Sequence, residues 1–326
     1  MTFDVVCLRP EADFLRAGIA PPQALKIAYR APDDAELKPL LAAARALVMP
    51  AIGPKLPGSL MQGSALKLIQ VTGAGVDRLD EPALKRLGIP VANSPGGSND
   101  AVAEYVLTAA SMLLRRFAWS GEEVRVGRYK EFRAAMLAAN LTGLHGMTVG
   151  IIGMGTIGLA VAKALRAYDC EILYSDPSPR DANAASHLGA KSVTLEELLA
   201  RSNVVTIHVP LVPATQGMIG APQLAKMKKD AILINAARGG IVAEAALAEA
   251  LRSGRLGGAA VDVYSPEPPE ASNPLLSLEG EAAHRLLLTP HIAGVTLQAQ
   301  AALFREAWKN VERVLVQGLS PLNRVY

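Results

Sequence analysis

Two doubly wound α/β domains are predicted for this chain of 326 residues. Short apolar runs alternate with helical stretches from one end to the other. Each run is a continuous Val/Ile/Leu/Ala segment, as strands covered on both faces require, which argues for parallel sheets. The alternation comes as a pair of series, and a soft prior of about 100–200 residues per domain assigns one domain to each.

In the first series the strand candidates are Phe3–Leu8, Leu25–Tyr29, Ala46–Met49, Leu66–Val71 and Pro90–Ala92, with helix-like segments at Asp33–Ala44 and Glu81–Leu87. A long apolar helix from Asn99 to about Phe117 separates the series. The second series has strands at Thr148–Ile152, Glu171–Ser175, Val204–Val209, Ala231–Asn235, Gly258–Val263 and Leu286–Leu288. A final helix runs from Leu297 to about Val316. If that helix packs back onto the first domain, residues 1–98 plus 292–326 form one domain and residues 99–291 the other. The expected ligand site is the cleft between them, because domain junctions favour small ligands.

Composition removes several classes. A chain that is 50% hydrophobic and 19% charged is not disordered. Lys+Arg 33 against Asp+Glu 30 leaves +3 with no dense basic block, which argues against a nucleic-acid surface. Two cysteines, Cys7 and Cys170, do not make a disulfide framework, and a reducing compartment fits. No Cys/His spacing suggests a metal site. Near the N-terminus the apolar run Val5–Leu8 is too short for a signal-peptide core. The 29 residues Ala134–Ala162 carry no charged side chain. They are long enough to cross a bilayer, but Asn140, His145 and several glycines fit a strand, a tight turn and a buried helix better. The expectation is a soluble, cytoplasmic protein with no membrane partner.

The chemistry concentrates at the ends of the second-series strands. Gly153, Gly155 and Gly158 spell G-x-G-x-x-G between the strand Thr148–Ile152 and a helix. The first glycine permits the tight turn, the second a close approach of pyrophosphate, and the third close helix–strand packing. The helix N-terminus then presents free N–H groups to the phosphates. Asp176, 18 residues beyond Gly158, ends the next strand and suits a ribose hydroxyl while repelling a 2′-phosphate. Asp-Pro-Ser-Pro is also turn-like, so a capping role stands beside it. After later strands come His208, Arg238, Asp262 and His291, with Glu267 close to Asp262. An imidazole, a guanidinium and a carboxylate are the parts needed for proton transfer coupled to anion binding. Asn93, Ser94 and Gly96 read equally as a cap or as a polar loop beside the cleft.

The segments VTGAGVD, NSPGGSNDAVAEYVL, VGIIGMGTIG, HVPLVPAT, INAARGGIV, VDVYSPEP and TPHIAG occur in this order. In them the chain resembles the D-isomer-specific 2-hydroxyacid dehydrogenases, from about Leu68 to Asn310. The resemblance implies a flavodoxin-like substrate domain and a Rossmann NAD-binding domain. It places the catalytic groups at Arg238, Glu267 and His291. It puts the backbone that holds the substrate carboxylate at Ala74 and Gly75, joined by Arg238. Cofactor contacts fall on Thr156, Ile157, Asp176, Ala236, Ala237, Asp262 and Gly294, with His208, Val209 and Pro210 nearby. It also implies a homodimer built on the NAD domain.

Physical roles follow from the side chains. His291 can give or take a proton near neutral pH, and Glu267 would hold its ring and favour the imidazolium. Arg238 offers a planar fork to a carboxylate and a carbonyl oxygen. Where phosphoglycerate-oxidising relatives often carry Arg-Ser, this chain has Met49-Pro50, which reads as an apolar wall near the cleft or as core filler. Glu267 stands where formate-oxidising relatives carry Gln, which argues against formate. The expected activity is NADH-dependent reduction of a small 2-oxo acid, glyoxylate- or hydroxypyruvate-like, reversible toward the D-2-hydroxy acid. The alternative is an NADH-sensing scaffold of the same fold, which would bind NADH with negligible turnover.

Overall fold

The computed structural model describes residues 3–326. The chain divides into two compact units, residues 1–98 with 295–326, and residues 99–294.

The first unit holds a parallel sheet of β1 (Val5–Cys7), β2 (Ile27–Tyr29), β3 (Ala46–Met49), β4 (Leu68–Val71) and β5 (Val91–Ala92), in the order β2-β1-β3-β4-β5. Along β1, Val5 and Cys7 enter one core cluster and Val6 the other, so both faces are covered. The helix Leu297–Leu315, capped by Thr296 Oγ1 on the Ala299 N–H, belongs to this unit. Its Asn310 donates to buried Gln70 of β4 at 2.6 Å, which satisfies an amide that would otherwise be costly to bury.

The second unit holds β6 (Thr148–Ile152), β7 (Glu171–Ser175), β8 (Lys191–Ser192), β9 (Val204–Ile207), β10 (Ile232–Asn235), β11 (Gly258–Val261) and β12 (Leu286–Leu288). Their order is β12-β11-β10-β9-β6-β7-β8, with every pair parallel. This is the Rossmann order, and that of the first sheet is flavodoxin-like. The order reverses between β6 and β9, where such sheets bind ligands beyond their carboxyl ends. Among the described residues, no helix is long and apolar enough to cross a membrane.

Several boundaries differ from the sequence expectation. The helix from Asn99 stops at Leu114, because Arg116 takes a left-handed φ of 49° and a new helix, Phe117–Arg125, starts there. A third helix follows at Tyr129–Ala138, and Arg128 before it forks onto Glu123 at 2.6 and 2.8 Å. The segment expected from Asp33 is helical only from Leu37, since Asp34 Oδ1 instead turns the chain by accepting from the Glu36 N–H. Glu81–Leu87 stands as expected, capped by Asp80 and ended by left-handed Gly88. Edge strand β8 is exposed and carries no apolar run, so nothing in its pattern announced it. Met49 is core filler, 1% exposed among Leu47, Ile69 and Val71, and is no wall.

Candidate active site

The glycine motif joins β6 to the helix Thr156–Leu165. Gly153 needs its φ of +95°, and a Cβ there would lie 2.6 Å from the His208 carbonyl oxygen. A Cβ on Gly158 would collide with the Gly153 carbonyl. Gly155 differs: its φ is −78°, and a Cβ there meets no protein atom within 4 Å. Neither backbone strain nor packing explains that glycine, whereas room for a ligand does. As N-cap it makes no side-chain bond, so the first N–H groups of the helix, at Thr156 and Ile157, are left for an anion. The loop therefore fits a dinucleotide pyrophosphate.

Asp176 follows β7 and does double work as a brace. Its Oδ2 accepts from Met154 N–H at 2.7 Å, and its Oδ1 from Ser178 N–H at 2.8 Å. The turn-forming role is thus present, and it ties the glycine loop to the end of β7. His208, just past β9, shares a hydrogen bond of 2.9 Å between Nε2 and Thr206 Oγ1. Its Nδ1 is closed to solvent with no protein partner. Burial pushes the imidazole down to about 3, so the ring is neutral at working pH. The next residues, Val209 and Pro210, continue the switch-point loop, with the Pro210 carbonyl accepting from Thr215.

Beyond β10, Ala236 and Ala237 lead to Arg238. Asn235 shapes this turn, accepting from the Ala237 N–H and donating to the Arg238 carbonyl. Arg238 Nη1 donates to the Ala237 carbonyl at 2.7 Å. Gly239 follows because any Cβ there would collide with the Tyr264 carbonyl, so the Arg238 turn lies against the segment leading to Glu267.

His291 and Glu267 meet directly, Nδ1 to Oε1 at 2.6 Å, with side chains 22% and 28% exposed. A carboxylate only accepts, so Nδ1 carries the proton of that bond and Nε2 is the ring atom that exchanges protons. His291 sits at φ +56°, a strained region for this residue. Asp262, fully buried after β11, over-determines it. Its carbonyl accepts from His291 N–H at 2.8 Å, and its carboxylate accepts from Ile292 N–H, Ala293 N–H and the Thr289 hydroxyl. Gly294 closes this segment and the unit.

Ala74 and Gly75 lie in the first unit, in the loop after β4. Asn93 Nδ2 donates to the Ala74 carbonyl at 2.7 Å, and Ser94 N–H to the Gly73 carbonyl. Among the described residues, the N–H groups of Ala74 and Gly75 meet no acceptor. Asn93 is thereby a loop brace and no helix cap. Arg78, 4% exposed, donates to the carbonyls of Pro50, Ile52 and Pro54 and staples the loops after β3 and β4 together. Sequence reasoning missed Arg78, Gly239, Tyr105 and Thr289. The last three sat unread inside INAARGGIV, NSPGGSNDAVAEYVL and TPHIAG.

A Rossmann unit with a dinucleotide loop and a His–Glu pair, joined to a flavodoxin-like unit, defines an NAD-dependent oxidoreductase. Residues 107–293 match the family described as D-isomer specific 2-hydroxyacid dehydrogenase, NAD binding domain, and the chain belongs to that family. NAD is its cofactor. The chain is 40% identical over 235 residues to a D-3-phosphoglycerate dehydrogenase of Archaeoglobus fulgidus, covering 72% of this chain and 42% of that one. The matched stretch is thus less than half of that relative's length. It is 38% identical to a glycerate dehydrogenase of Methylorubrum extorquens, covering 79% of each. The structure of a glyoxylate reductase from Paecilomyes thermophila superposes with a TM-score of 0.81 at 26% identity, covering 99% of this chain and 98% of that one.

Proposed function

We propose that the protein reduces a small 2-oxo acid of the glyoxylate or hydroxypyruvate kind to its D-2-hydroxy acid, and reverses the reaction. The 2.6 Å bond between His291 Nδ1 and Glu267 carries this reading, because it leaves an imidazole nitrogen poised for proton exchange. NADH, when bound, would supply the hydride for C2 of the acid. His291 gives the proton at Nε2 to the oxygen that was the carbonyl, and in the reverse direction takes it back. Glu267 holds the ring through Nδ1. Arg238 grips the carboxylate and polarises the carbonyl with its fork. The N–H groups of Ala74 and Gly75 receive the carboxylate, as their lack of protein acceptors suits.

The cofactor would be held by Gly153, Gly155, Thr156, Ile157 and Gly158 at the pyrophosphate and by Asp176 at the ribose. His208, Val209, Pro210, Ala236, Ala237, Asp262 and Gly294 line the remainder. Asp176 favours NADH over NADPH, since a carboxylate repels the added phosphate. The working form is a cytoplasmic homodimer; exposed Phe117, Val124, Val126 and Tyr129 on the second unit offer apolar surface for pairing.

The test is NADH oxidation with glyoxylate, hydroxypyruvate, pyruvate and longer or aromatic 2-oxo acids. Turnover is expected with the small acids, with kcat/KM for NADH above that for NADPH. Tight NADH binding with negligible turnover on every acid would instead identify the sensing scaffold.

A further inference from the structure

The loop carrying His291 is tied to a residue far away in sequence. Tyr105, on the helix Asn99–Leu114, lies with its Oη 2.7 Å from Thr289 Oγ1. Thr289 Oγ1 in turn lies 2.6 Å from Asp262 Oδ1. The direction of these bonds follows from chemistry. An ionised carboxylate only accepts, so the threonine hydroxyl donates to Asp262 and must accept from the tyrosine. The order is Tyr105 O–H to Thr289 O–H to Asp262. The Thr289 carbonyl is held as well, accepting from Tyr264 Oη at 3.0 Å.

Asp262 spends its remaining acceptor capacity on the loop, at Ile292 N–H (2.8 Å) and Ala293 N–H (2.9 Å). Between Thr289 and Ile292 stands His291, in the left-handed conformation that L residues rarely adopt. Such a conformation persists only where surrounding bonds over-determine it. We propose that Tyr105 and Thr289 are positioning residues for His291. Their hydroxyls orient the Asp262 carboxylate so that it keeps the loop strained and the imidazole aimed at Glu267. The proposal rests on the reading of His291 as the proton donor.

Burial pushes the Tyr105 phenol up to about 12, so it remains a donor across the working range and the chain of bonds is not gated by pH. Thr289→Val keeps the β-branch and volume but deletes both hydroxyl bonds. Thr289→Ser keeps the hydroxyl, and Tyr105→Phe deletes the outer donor while preserving the ring. For Thr289→Val, kcat for 2-oxo acid reduction is expected to fall about 10–100-fold, the scale of a misplaced catalytic group. The Kd for NADH, read by fluorescence titration, should change far less than kcat, because the glycine loop is untouched and Asp262 alone among the cofactor-lining residues loses a bond. The isotope effect on kcat with NADH deuterated at the transferred position should rise as the chemical step becomes limiting. Thr289→Ser should recover most of the loss, and Tyr105→Phe should fall between.

Wild-type kcat in both Thr289→Val and Tyr105→Phe would overturn the proposal. So would a serine variant no better than valine, or a loss of NADH affinity matching the loss of kcat, which marks a merely structural role. If Thr289→Val does not fold, Tyr105→Phe decides: a lowered kcat with intact NADH binding supports the proposal, and an unchanged kcat overturns it. A wild-type protein inactive on every 2-oxo acid would instead defeat the functional reading beneath it.

Discussion

In the proposed reaction the loop after β4 and the loops after β10, β11 and β12 act by opposite means. In the first, Ala74 and Gly75 contribute main-chain N–H groups, and Asn93 merely holds the turn from outside. In the second, the work falls on side chains: Arg238, Glu267 and His291. A main-chain donor survives almost any replacement except proline, whereas a side-chain fork or imidazole does not. The lesson is that side-chain identity tells little about the main-chain region and a great deal about the side-chain region.

The widest separation between the regions should come from His291→Ala. Its kcat should drop roughly 10²–10⁴-fold, the usual share of general acid–base catalysis, with the NADH Kd nearly unchanged. Steady-state kinetics beside a fluorescence titration checks this. A loss under tenfold would break the contrast.

Arg238→Lys comes next, with kcat/KM for the 2-oxo acid down on the order of 10²-fold, because an ammonium does not reproduce the two-pronged fork. Measuring the same variant against several acids of different size sharpens the point. If the guanidinium grips the groups common to all of them, every acid should suffer alike.

Glu267→Gln removes a charge and keeps the shape. The carboxylate accepts the Nδ1 hydrogen bond of His291, and a neutral amide there holds the ring more weakly, so kcat should fall roughly tenfold. Reduction and oxidation should be slowed together, as steady-state kcat in each direction checks. Wild-type kcat in both directions would exclude the pairing. His208 should add no limb to the pH profile above about 4, since burial holds it neutral down to about 3.

The smallest effect belongs to the main-chain side. Asn93→Ala removes one hydrogen bond to the Ala74 carbonyl, worth about 1 kcal/mol, so KM for the acid should rise about fivefold with kcat within twofold. A collapse of kcat would mean that Asn93 touches the reacting atoms.

Much of this protein is local and therefore legible in the amino-acid string. A parallel strand buried on both faces must be a continuous apolar run, so most strands announced themselves, and only exposed β8 escaped. Gly153 and Gly158 were readable because the strand–turn–helix geometry excludes any Cβ there. The capped helix Glu81–Leu87 was readable because Asp80 and Gly88 meet its ends within a few residues. Arg238, Glu267 and His291 could be put forward as candidates because they stand near strand ends and in unusual strings.

Tertiary structure decided what those residues lean on. Nothing short-range distinguishes Met49 as core filler from Met49 as a wall; its packing against Leu47 and Ile69 does. Asp176 carries a ribose-binding signature, yet its carboxylate also holds Met154 and Ser178. Tyr105 and Thr289 stand 184 positions apart and become partners only once the helix Asn99–Leu114 lies on its sheet. Spacing rules reach as far as a helical turn or a strand pair. A hydrogen bond has no such limit: it needs two atoms within about 3 Å, and for groups distant along the chain only the folded topology brings them there.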